Sequence, residues 1–159
     1  MPELPDVETV RRMLQRTTAG RRIDHVTVLS PSTVRSPAPR LFARRLRGRR
    51  ILAIGRRGKY LLIGLDGGLT LAVHLRMTGD FAVVPRAAPR DPHTRVVFSL
   101  DGRELRFVDQ RRFGHMDVLP TAQLESWGLG RLGVEPLGPG FTPAGVNAAP
   151  LSSEAGPRP

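Results

Sequence analysis

The chain has 159 residues, 40% of them hydrophobic, and its 25 lysines and arginines outweigh 14 acidic residues to give a net charge of +11. That length sustains one domain with a real core. No apolar run is long enough to span a membrane and no apolar signal segment opens the chain, so a cytoplasmic protein is expected. The absence of cysteine excludes a disulfide framework and a thiolate metal site, and no metal or cofactor is expected in this chain. A field this basic favours polyanions, nucleic acid first, although arginines also serve simply to solubilise a surface.

In chain order, the first feature is Pro2-Glu3-Leu4-Pro5-Asp6-Val7-Glu8 behind the initiator methionine. A small residue at position 2 lets Met1 be removed, leaving proline with a free secondary amine beside a carboxylate. A terminal amine has a pKa of roughly 7.7–8.0 against about 10.4 for lysine, so much more of it is unprotonated and nucleophilic at neutral pH. The same residues also read as a helix start, with Pro5 in the first turn and acids at its positive end. Val7, Val10 and Leu14 fall on one helical face, and the spacing predicts a helix over 5–18 that Gly20 ends.

The pattern then becomes strand-like. A strand is expected over Ile23–Leu29, then a Pro/Ser-rich loop from Ser30 to Pro39 and a short helix over Arg40–Leu46. Strands follow at Ile51–Ile54, Tyr60–Leu65, Leu69–Leu75, Phe81–Val84, Arg95–Leu100, Glu104–Val108 and His115–Leu119, with a short helix at Ala122–Trp127. Asp66-Gly67-Gly68 and Asp101-Gly102 are hairpin-turn chemistry. These runs predict a mainly β, α+β fold: an antiparallel β-sandwich with an N-terminal helix and one or two short helices. Residues 1–137 form the expected domain, and the Gly-, Pro- and Ala-rich segment 138–159 reads as a disordered tail.

Three internal segments carry chemistry. Of the 25 basic residues, 24 are arginine and one is Lys59, in Gly55-Arg56-Arg57-Gly58-Lys59-Tyr60 at the mouth of a strand. Arginine does not release its proton in a protein, whereas lysine can serve as acid, base or nucleophile. His74-Leu75-Arg76-Met77-Thr78-Gly79 ends a strand with methionine on a turn. Asp109-Gln110-Arg111-Arg112-Phe113-Gly114 puts two arginines and an aromatic ring on a loop. Singly, each has a plain structural reading: Met77 and Phe113 as satellite core, the arginines as a solvated pair, His74 as a satisfied, partly buried ring.

Together, in this order and spacing, the four motifs resemble the catalytic N-terminal domain of the bacterial formamidopyrimidine-DNA glycosylases from Met1 to about Leu137. The related endonuclease VIII branch fits less well, because Leu4-Pro5 and Met77 resemble the formamidopyrimidine branch. The resemblance implies base-excision repair of oxidised purines, formamidopyrimidine and 8-oxoguanine, by a combined glycosylase and abasic-site lyase. It makes Pro2 the nucleophile that forms a Schiff base at C1′, Glu3 the proton donor at the sugar, and Lys59 the proton donor in strand elimination and a phosphate contact. Met77, Arg111 and Phe113 match the residues that fill the stack vacated by the extruded base. His93, in Asp91-Pro92-His93-Thr94, aligns with a histidine on the DNA backbone, and His74 belongs to the same DNA-binding set. Asp6 stands where the family usually carries glutamate.

The implied partner is damaged double-stranded DNA, bound by a monomer in the bacterial cytoplasm, at the nucleoid. The family continues into a helix–two-turn–helix region and a four-cysteine zinc finger that clamp the DNA, and this sequence reaches neither. The expectation is therefore a catalytic domain with impaired DNA binding. A non-catalytic DNA-binding module and an inactive remnant stay open beside it.

Overall fold

The computed structural model describes residues 4–126 and places nine strands and two α-helices among them. Pro2, Glu3, the end of the helix expected at Ala122–Trp127 and the expected tail 138–159 lie outside the described residues.

Helix α1 (Leu4–Thr18) opens the fold, and Val7 and Leu14 on its inner face are fully buried. The strands are β1 (His25–Val28), β2 (Val34–Ser36), β3 (Ile51–Arg57), β4 (Tyr60–Leu65) and β5 (Leu69–His74), continuing with β6 (Gly79–Pro85), β7 (Thr94–Leu100), β8 (Arg103–Asp109) and β9 (His115–Pro120). Helix α2 (Pro39–Leu46) stands between β2 and β3, with proline in its first turn. One sheet has the order β1-β7-β8-β6 and the other β2-β9-β5-β4-β3.

The two sheets bury their facing side chains in one core. Leu61, Ile63 and Leu65 of β4 and Leu71 and Val73 of β5 meet Phe98, Leu100, Leu105 and Phe107 from the opposite sheet. The alternate residues of β4, Tyr60 and Leu62, pack on the outer face with Ala72, Leu119 and Leu124. Every residue of β4 is buried, which is why that strand reads as an unbroken apolar run rather than an alternating one.

The antiparallel sandwich is present, with two departures from the sequence reading. The expected loop Ser30–Pro39 contains a 3₁₀ turn (Pro31–Thr33) and β2, which pairs parallel to β9 at the sheet edge. Three residues with one buried side chain, Val34, are too few to show a strand period. Strand β3 runs on through Gly55-Arg56-Arg57, where charge disguised it. Arg57 is nevertheless buried and bonds the Glu125 carboxylate at 2.7 Å.

β3 is an edge strand, and α1 covers it. Ile54 donates its N–H to Gln15 Oε1 at 2.8 Å, and its carbonyl accepts from Arg11 Nη1 at 3.1 Å. Polar groups that would template a further strand are thereby occupied. Glu8 reinforces the seam: its carboxylate accepts from Arg11, from Arg12 at 2.9 Å and from Arg56 of β3 at 3.1 Å. Hydrogen bonding from Arg11 is the largest cause holding the Glu8 carboxyl down to about 2; burial opposes it, and hydrogen bonds from Arg12 and Arg56 add to the lowering.

Because Glu8 is depressed in the folded state, its contribution to stability is present above the ordinary carboxyl range and is lost as pH falls. Glu8→Gln is expected to lower the melting temperature at neutral pH. The gap between wild type and variant closes as pH falls from about 4.5 toward about 2, measured by thermal melts across that range.

Candidate nucleic-acid interface

Strand direction collects the chemistry-bearing segments at one end of the sandwich. The β3–β4 turn, the end of β5, the starts of β6 and β7, the end of β8 and the start of β9 all lie there. Lys59 occupies the second position of the two-residue turn between the paired Arg57 and Tyr60, and Gly58 takes the positive φ (59°) that such a hairpin needs at its first position.

Next to it a row of rings crosses the outer face of the sheet. Tyr60, His74 and His115 are register partners on β4, β5 and β9. The Tyr60 and His74 rings meet edge to face at 4.7 Å, and His74 and His115 stack at 5.4 Å. Arg35 closes the row with a two-bonded pair to the buried Asp117, at 3.2 and 2.7 Å. Burial, then the charges of His115, Arg76, Lys59 and Arg35, lower the His74 pKa to about 4. Burial likewise lowers His115. The Nδ1 of His74 accepts the Arg76 backbone N–H at 3.1 Å. In the neutral ring the proton therefore sits on Nε2, a donor that carries no charge.

Three residues past His74, Met77 lies half-buried in the β5–β6 loop. With Leu75 and Phe81 it lines a cleft of about 590 Å³ whose other wall is the N-terminal half of α1, from Asp6 to Met13. Pro2 and Glu3 directly precede α1 in the chain.

Arg111 and Phe113 stand on the β8–β9 loop. Phe113 is 47% exposed, an unusual state for a large apolar ring, and the Arg111 guanidinium sits 5.0 Å from its centroid. Arg76 and Arg112, immediately ahead of Met77 and Phe113, both adopt left-handed backbone (φ 56° and 61°). A non-glycine residue there is uncommon, and rarer still for a long side chain such as arginine than for aspartate or asparagine.

One buried side chain connects these loops. Asp109, the last residue of β8, is fully buried, and its carboxylate accepts from the Thr78 hydroxyl and from the Gly114 N–H at 2.7 Å. Thr78 Oγ1 in turn accepts the Arg111 N–H at 3.1 Å. The Asp109 backbone N–H donates to the His93 carbonyl at 3.0 Å, and its carbonyl accepts from the buried Arg95 at 2.9 Å. A Cβ on Gly114 would come within 2.8 Å of both the Asp109 carboxylate and the Phe107 ring, so only glycine fits.

The structure thus brings Lys59, His74, Met77, His93, Arg111 and Phe113 to one end of the molecule. Sequence reasoning quoted Asp109 and Thr78 inside their motifs and gave neither a role. A buried acid closing an apolar strand was the available signal. Among the described residues, no three histidine, aspartate or glutamate side chains gather as a metal site requires, and no helix is long and apolar enough to cross a membrane.

Comparison with known proteins places the chain among one family and one fold. The family model of the formamidopyrimidine-DNA glycosylase N-terminal domain matches residues 1–116. Formamidopyrimidine-DNA glycosylase of Moorella thermoacetica is 50% identical over 143 residues, covering 89% of this chain and 52% of that protein. The Symbiobacterium thermophilum protein of the same name is 50% identical over 145 residues, covering 90% and 47%. The chain spans about half the length of the curated relatives it matches. Among solved structures, a complex of Lactococcus lactis Fpg with abasic-site DNA superposes with a TM-score of 0.77 at 33% identity, covering 80% of this chain and 47% of that one. A complex of the same protein with DNA containing Fapy-dG gives 0.77 at 33% identity, covering 80% and 48%.

Two outcomes are expected. The His74 ring, followed by NMR, titrates near 4 rather than at the usual 6.5. Its neutral form therefore contributes stability that is complete above pH 6.5 and is lost as pH falls toward 4; a midpoint near 6.5 would contradict the described burial. Gly114→Ala, by overpacking against Asp109 and Phe107, costs about 1–3 kcal/mol in a denaturant melt.

Proposed function

Because the chain belongs to the formamidopyrimidine-DNA glycosylase family, we propose that it carries the base-excision chemistry of a glycosylase and abasic-site lyase acting on oxidised purines in duplex DNA. The observation that supports this best is the convergence of Lys59, His74, His93, Met77, Arg111 and Phe113 at the end where the cleft beside α1 opens.

In this reading the Pro2 nitrogen attacks C1′ of the damaged nucleotide. The glycosidic bond breaks, and its electron pair leaves with the base, which gains a proton. The sugar ring then opens, its oxygen taking a proton from Glu3, and an iminium forms between Pro2 and C1′. Loss of a C2′ proton expels the 3′ phosphate, with Lys59 as proton donor at this elimination and a phosphate contact. Methionine, phenylalanine and arginine suit the vacated stack: two apolar wedges, and a forked donor for the orphaned partner base.

His74 supports the same reading from its protonation. A ring neutral at physiological pH, with Nδ1 already committed, offers Nε2–H to a phosphate oxygen and keeps it beside Lys59. His93 offers a second backbone contact. The +11 charge supplies the sequence-independent part of the affinity, and the reading places the protein as a monomer on nucleoid DNA. The zinc finger implied by the resemblance needs four cysteines and this chain has none, so its residues do not fit zinc and no step is assigned to it.

Borohydride reduction of the iminium tests the reading. Wild-type protein is expected to become covalently attached to DNA carrying an abasic site, and Pro2→Gly, or retention of Met1, to reduce that attachment greatly. Lys59→Arg keeps the charge but not a releasable proton. It is expected to leave trapping intact while slowing strand cleavage about 10²-fold or more. Absence of trapping at any protein concentration would remove the proposal.

A further inference from the structure

The two loops that carry the stack-filling residues are not independent of one another. Met77 sits on the β5–β6 loop, and Arg111 and Phe113 on the β8–β9 loop, separated by more than thirty residues of chain. Both loops nevertheless end on the same carboxylate. Asp109 takes the Thr78 hydroxyl on one oxygen and the Gly114 N–H, at 2.7 Å, on the other. Thr78 completes the circuit by accepting the Arg111 N–H at 3.1 Å. A hydroxyl has one proton to give and lone pairs to receive with. Here Thr78 gives to the β8 strand end and receives from the opposite loop, immediately beside Met77.

The floor beneath is shared too. A Cβ on Gly79 would come within 2.9 Å of Phe107 Cζ, and one on Gly114 within 2.8 Å of the same atom. Both loops are therefore pressed onto one buried ring. Arg76 and Arg112 impose a left-handed reversal at matching places, one residue before each wedge. The guanidinium of Arg111 over the Phe113 ring joins the last two side chains.

We infer that Thr78 is a positioning residue: with Asp109 it locks the two loops together, so that Met77, Arg111 and Phe113 enter the duplex as one preformed unit. The inference rests on the base-excision reading above. Its physical gain is preorganisation. Side chains ordered only on binding cost affinity, and two loops moving separately would also open the stack without filling it. A simple structural stitch would instead affect every substrate alike.

Thr78→Val is nearly isosteric and removes only the hydroxyl, whereas Thr78→Ser restores it. Both variants are compared with wild type by borohydride trapping on two substrates: duplex DNA with an abasic site, which must be opened, and the single-stranded version, which need not be. A 2-aminopurine neighbouring the site in the duplex reports unstacking by its fluorescence. Thr78→Val is expected to slow duplex trapping about tenfold or more and to suppress the fluorescence rise. Single-strand trapping stays within about twofold, and Thr78→Ser recovers the duplex reaction. Equal duplex behaviour of Thr78→Val and wild type overturns the inference alone, as does equal loss on both substrates. Failure of the wild type to trap on either substrate overturns the base-excision reading, and this inference falls with it.

Discussion

A carboxylate with no exposure to water sits where β8 ends, and the working end of the molecule is arranged around it. Burying such a group without partners costs several kcal/mol, so its neighbours are constrained to provide hydrogen bonds. Asp109 obtains them from Thr78 and Gly114, while its own backbone holds His93 and Arg95. These four partners come from three different segments of chain. Satisfying one residue thus fixes the relative placement of three loops that have little apolar surface of their own to bury. The sandwich supplies rigidity, and Asp109 converts it into position.

The other anchor is the seam between α1 and β3. Gln15 and Arg11 take up the open polar groups of Ile54, and Glu8 gathers three guanidinium groups around it. This seam protects an edge strand from further pairing. It also sets where the first residues of the helix point, and Asp6 consequently lines the same cleft as Met77. A polar interface does both jobs because its bonds are directional, as an apolar contact would not be.

Much of this was legible in the sequence, for identifiable reasons. Val7, Val10 and Leu14 announce α1 through helical spacing, and Asp101-Gly102 announces its hairpin because both residues take positive φ, at 44° and 86°. Lys59, Met77, Arg111 and Phe113 stood out as residue types unusual for their surroundings, and the fold gathers them at one end. β2 was hidden because a three-residue parallel edge strand leaves no period. The last turn of β3 was hidden because Arg56 and Arg57 satisfy their charges through Glu8 and Glu125, which lie far away in sequence. Asp109 and Thr78 carried no role for the same reason: their meaning lies in contacts between segments, which linear spacing does not display.

The Asp101-Gly102 hairpin lies at the opposite pole from Lys59 and the wedge loops, at the far ends of β7 and β8. Both of its residues are exposed, and a Cβ on Gly102 would meet nothing within 4 Å. Exposed loop tips of this kind are where chains accept inserted sequence. The molecule therefore has a natural attachment point: a fluorophore, an affinity handle or a whole second domain grafted there would project away from the end that gathers Lys59, Met77 and Phe113 and leave Asp109 and its partners untouched.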